Sequence, residues 1–148
     1  MPLISTVADA LLWVWFRVWA LPYSLLGAAV GLAGLPLGGS AQIRRGVLEF
    51  YGGAIASLLR RAPIAGGAAA LTLGHVILGQ TQQDLDFARD HEHVHVRQFE
   101  RWGPLMGPAY VGASLWLACR RSGDCYRDNP FEREAYDEDE RRRSGLRG

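Results

Sequence analysis

The chain has 148 residues, enough for one domain and little more, with 49% hydrophobic residues and a formal net charge of +1. So even a balance gives no global field for nucleic acid, and the 16 basic residues, all arginine, are scattered without the interleaved aromatics of single-strand binders. Two cysteines, Cys119 and Cys125, are too few for a disulfide scaffold; they read as two unrelated thiols, or as a pair if their loop faces an oxidising compartment.

Residues 1–43 carry only Asp9 and Arg17 as charges, and Val18 to Ile43 carry none. A bilayer crossing needs about 20 apolar residues, so Leu21 to Leu37 is expected to form a transmembrane helix. The aromatic stretch Leu12 to Trp19 before it suits the membrane interface. The first residues lack the basic start of a cleaved signal peptide, and the apolar run is too long for one. Gly27-x-x-x-Gly31 permits close helix contact and, through it, a homo-oligomer. Arg17 alone precedes the run, whereas Arg44, Arg45, Arg60 and Arg61 follow it, so the positive-inside rule puts the remainder in the cytoplasm. The domain reading is a membrane anchor over 1–43 and a folded unit over 44–148.

Gly46 to Leu59 and Ala68 to Gly79 read as strands, rich in β-branched and aromatic residues and separated by Gly and Pro breaks. His75, on the second run, reads as a packed or surface histidine. From Thr81, an N-cap residue with Asp84 three positions on, neither Pro nor Gly occurs before Gly103, which predicts a helix over about 82–101. Residues 104–119 are apolar, but Pro108 breaks them, and the rest spans only about 16 Å as helix, half of a ~30 Å hydrocarbon core. That stretch is expected to be a buried or half-inserted helix beneath the one before it. Asn129 and Pro130 open a final helix as cap and first turn. Its mixed-charge end, Asp137 to Arg143, reads as frayed and solvated.

The chemistry lies in His91-Glu92-x-x-His95. On a helix this spacing sets two imidazoles one turn apart on one face, where both can reach a tetrahedral zinc ion. Glu92, roughly 100° round the helix from His91, is placed to work on a metal-bound water as general base. His93, about 200° away, reads as structural or exposed.

His91-Glu92-x-x-His95 followed by Glu132-x-x-Ala135 resembles the gluzincin branch of zinc metallopeptidases. The pairing with Asn129-Pro130-Phe131-Glu132 is also similar to small bacterial membrane proteins. The resemblance covers roughly residues 68–137. It implies His91, His95 and Glu132 as zinc ligands, with Glu134 as the fallback third ligand, and Glu92 as the catalytic base. Leu71 to Leu78 would be the edge strand that receives extended substrate. The metzincin form is excluded, because Gln98 and Arg101 stand where its Gly and third His belong. Tyr136 departs from the pattern, occupying the place of an aspartate that buttresses a ligand histidine; Asp137 or Gln98 are the candidate substitutes. Tyr126, Tyr136 and Arg127 lie near the third ligand in sequence without an assignable role.

The expected fold is therefore α+β, a minimal zincin-like domain of short sheet, active-site helix and glutamate helix behind an N-terminal transmembrane helix. The expected function is peptide-bond hydrolysis by a zinc-bound water, on peptide or membrane-protein substrates at the bacterial inner membrane. The alternative is a catalytically inactive, membrane-anchored binding or accessory protein that retains the metal site.

Overall fold

A computed structural model describes residues 2–62, 67–120 and 124–145. The architecture is α+β, with one four-stranded sheet between helices. Helices α1 (Pro2–Trp19) and α2 (Leu21–Gly34) open the chain, and a single 3-10 turn carries α2 into β1 (Gly39–Arg44). Arg45 and Gly46, at φ 49° and 76°, make the two-residue turn into β2 (Val47–Gly52). Both central positions of that turn are left-handed, the geometry that matches the twist of a hairpin.

Gly52 and Gly53 also have positive φ, 83° and 50°, which stops the strand. The next residues form α3 (Gly53–Arg60), whose Ile55, Ala56 and Leu59 are buried one helical turn apart. The strand expected to run to Leu59 thus ends at Gly52. The break expected between the two strand runs falls at 63–66, outside the described residues. The run from Ala68 to Gly79 is a hairpin rather than one strand, with β3 (Ala70–Leu73) and β4 (Val76–Gly79) joined at Gly74, φ 63°.

The sheet order is β1-β2-β4-β3, with β2 and β4 parallel and the other pairs antiparallel. Alternate residues feed two cores. On one face Phe50, Val76 and Leu78 pack with Ile55 and Leu59; on the other Val47 and Ile77 pack with Leu85 and Val96 of α4 (Gln82–Trp102).

The glycines of α2 decide its place. A Cβ on Gly31 would lie 2.2 Å from the Phe50 ring, and one on Gly34 would lie 2.6 Å from Ile55. Gly27 and Gly31 therefore bring α2 down onto the sheet and Gly34 brings it against α3, and the small-residue face expected to pair helices is filled within the chain. The boundary expected at residue 43 falls inside β1. Nor is Leu21–Leu37 a straight span. No single helix among the described residues is long and apolar enough to cross a membrane, and the pair Val7–Trp19 and Leu21–Leu37 bends by 59°.

A third cluster, Ala20, Phe99, Met106 and Phe131, ties the α1–α2 bend to the end of α4, to α5 (Met106–Arg120) and to α6 (Pro130–Gly145). Trp19 fills the space beside Gly103, where a Cβ would sit 2.1 Å from its Nε1. Within α5 only Met106 is buried.

Candidate metal centre

Thr81 caps α4, its Oγ1 accepting the Asp84 N–H at 3.1 Å, and the helix runs unbroken to Trp102. His91 and His95 stand one turn apart on it, with ring centroids 5.0 Å apart and planes at 75°. Glu132 comes from the first turn of α6. That turn is fixed by Asn129, fully buried, whose Oδ1 accepts the Phe131 N–H at 3.0 Å while its Nδ2 donates to Tyr110 O and Ser114 Oγ on α5.

The three side chains converge. Glu132 Oε2 is 3.3 Å from His91 Nε2, and Glu132 Oε1 is 3.5 Å from His95 Nε2. One ligand atom from each of the three residues lies within 4.8 Å of the others. Ligand atoms around a tetrahedral zinc, at bond lengths of about 2.0–2.1 Å, stand roughly 3.3 Å from one another. The other ring nitrogens are engaged: His91 Nδ1 lies 3.1 Å from Asp139 Oδ2, and His95 Nδ1 lies 2.9 Å from Gln98 Oε1. Both acceptors can hold a proton on Nδ1, so a metal ion that displaced the Nε2 proton of His91 would meet an Nε2 lone pair on each ring. The three residues could together hold a metal ion.

Electrostatics agree. Burial alone lowers the His91 pKa, but the hydrogen bonds to Glu132 and Asp139 and the charges of Glu92 and Glu132 outweigh it and push it up to about 9. Burial raises the Glu132 carboxyl, and its bonds to His91 and Tyr110 together with the His95 charge bring it below its usual range. Without an ion His91 is held as imidazolium beside the Glu132 carboxylate, and a bound cation would take the place of its proton.

Glu92 is 6% exposed, and Thr72 Oγ1 donates to its Oε2 at 2.7 Å. Glu92, His95 and Glu132 all line a cavity of about 290 Å³, whose apolar walls include Leu71, Leu73, Phe99, Met106 and Val111. The terminal strand β3 forms one side of it.

The remaining expected positions fall elsewhere. Glu134 bonds Gln98 Nε2 and Arg101, on the far side of Gln98 from the histidines. His75 pairs with Glu100 at 2.9 Å. His93 donates from Nδ1 to Arg89 O, and burial lowers its pKa. Tyr136 packs on the His91 ring at 4.8 Å, and Gln98 takes up the buttressing role for His95. For His91 that role falls to Asp139, in the stretch expected to be frayed. Thr72 and Tyr110, whose hydroxyl donates to Glu132 Oε1 at 2.6 Å, carried no signal in the sequence.

Fold and site together define an α+β protein with a His-His-Glu group that can hold a metal ion. Comparison with protein-family models, with curated proteins and with solved structures finds no match to this chain.

Proposed function

We propose that the protein is a membrane-anchored, zinc-dependent metallopeptidase of gluzincin type, working at the cytoplasmic side of a bacterial inner membrane. The observation that carries this reading is the meeting of Glu132 with His91 and His95, each histidine held by an acceptor at Nδ1. Zinc bound there supplies Lewis acidity, polarising a carbonyl and bringing a water's pKa toward about 7. Glu92, lining the same cavity, accepts the water's proton and passes it to the leaving amine. Thr72 fixes one carboxylate oxygen of Glu92 and leaves the other for that exchange. An extended peptide lies along the outer edge of β3, and the apolar cavity takes its neighbouring side chain.

The reading of an inactive accessory protein is favoured by Tyr136, which packs on His91 where the resembled family has a carboxylate. One set of variants separates the two. Purified wild type is expected to carry one zinc per chain, and His95→Ala and Glu132→Ala far less. Glu92→Gln is expected to keep its zinc and lose proteolysis. Undiminished zinc in Glu132→Ala removes the third ligand, and equal behaviour of wild type and Glu92→Gln assigns the accessory role.

A further inference from the structure

We propose that α5 is an in-plane membrane helix that embeds Val111, Leu115 and Trp116 in lipid, so that the cavity beside the metal group opens at the bilayer surface. The inference rests on the membrane-anchored reading above and deepens it by naming the second lipid contact and the route into the site.

Five consecutive residues of α1, Leu11 to Trp15, are 50–66% exposed. At 100° per residue they circle the helix completely. A docked protein covers a stripe; a helix apolar on every side calls for a surrounding medium, and hydrocarbon is one. Met106 to Cys119 likewise carries no charge, and Val111, Leu115 and Trp116 are 54%, 61% and 55% exposed.

Two arginines give the level. Arg17 lies over the Trp13 ring at 3.7 Å, and Arg120 over the Trp116 ring at 4.1 Å. An arginine draped on a tryptophan suits the headgroup layer, with the ring toward the chains and the charge toward water. Arg17 sits close to the junction where Trp19 packs on Gly103, just before α5 begins, and Arg120 closes α5. Helix α5 thus runs between two headgroup markers, which lays it in the interface, while Leu11 to Trp15 of α1 enter the lipid beside it.

Tyr23 of α2 ties the start of that helix to the turn before α5 and to α4, its hydroxyl donating to Pro104 O at 3.3 Å and its ring packing on Phe99 at 4.9 Å. The inner side of α5 meanwhile walls the cavity through Met106, Gly107, Tyr110 and Val111. Val111 belongs to both surfaces. An apolar segment of a membrane-protein substrate therefore reaches the cavity without crossing water.

The test places nitroxide labels on the full chain, with Cys119→Ser and Cys125→Ser as background, through Val14→Cys, Leu115→Cys or Arg143→Cys. The protein is reconstituted in phosphatidylcholine–phosphatidylglycerol vesicles. Labels at 14 and 115 are expected to collide severalfold more often with oxygen than with a water-soluble nickel chelate, and the label at 143 the reverse. A lipid-facing label at 14 with a water-facing one at 115 overturns the inference and leaves the anchor standing. Water at both positions overturns both. Shielding of 115 from both agents, with spin–spin broadening, assigns a second copy of the chain to this face and also overturns it. The unsubstituted protein gives a second readout: brominated lipids are expected to quench its tryptophan fluorescence, and Trp116→Phe to lower the quenched share. No change on that substitution overturns the proposal.

Discussion

A histidine gives a metal one nitrogen, and the partner of the other nitrogen decides which lone pair is free. Here the two partners differ in kind. Gln98 is fully buried and also donates to Phe131 O and Glu134, so it orients His95 and ties α4 to α6 at once. Asp139 is partly exposed and touches His91 from the second half of α6. Asp139→Ala is therefore expected to weaken zinc affinity about 10–100-fold with little loss of stability, and Gln98→Ala to weaken it similarly while lowering stability as well. Competition against a chromophoric chelator measures the first effect and urea unfolding of the metal-free protein the second; unchanged affinity in both variants would show that neither residue orients a ligand. The site's three helix-borne positions, His91, Glu92 and His95, are legible in the sequence because their geometry needs only the period of one helix. Thr72, Tyr110 and Asp139 are not, since each reaches the site through tertiary packing that no local spacing encodes.

At the scale of elements, glycine is the residue whose meaning changes most between sequence and structure. Gly27-x-x-x-Gly31 reads equally as a helix-pairing face or as a face laid on a sheet, and Phe50 decides for the sheet by filling the space where a Gly31 side chain would go. Gly31→Ala is expected to cost about 1–3 kcal/mol by overpacking that contact. Gly112, mid-helix with nothing within 4 Å of its Cβ position, provides the opposite sign: Gly112→Ala is expected to gain up to about 1 kcal/mol. Chemical unfolding of both variants in one detergent checks the pair, and equal effects would mean that α2 does not sit tightly on the sheet. The same ambiguity explains the misread strands. Gly52-Gly53 and Gly74 look like weak points inside longer apolar runs, and they are where one run turns into a helix and another into a hairpin. The helix α4, free of such residues and marked by its Thr81 cap, is placed by sequence to within a residue at its far end.

For the molecule as a whole, the His91, His95 and Glu132 group is a clasp between two helices that are distant in sequence. Besides the Phe131 contact and the Gln98 bonds, α6 is joined to α4 by Glu132 and Asp139 on the His91 and His95 rings, by Tyr136 on the His91 ring, by Glu134 with Arg101 and by Arg142 near Asp90 at 3.3 Å. Its outer half is charged and exposed, with little apolar area to hold it in place. An ion that binds only the folded arrangement stabilises it by mass action, about 2.7 kcal/mol at a hundredfold excess over Kd. For a chain of this size that corresponds to a rise in Tm of roughly 5–10 °C. The gain should fall unevenly, because the sheet with α2 and α3 has its own apolar core while α6 depends on the clasp. Hydrogen exchange is therefore expected to slow across Pro130–Gly145 on zinc addition, with much smaller changes in β2 and β4, and chelation by EDTA to reverse it. Glu132→Ala should abolish both the Tm rise and the protection of α6. If zinc stabilises that variant as strongly as the wild type, the ion binds elsewhere, and α6 is held by its direct contacts with α4 and α5.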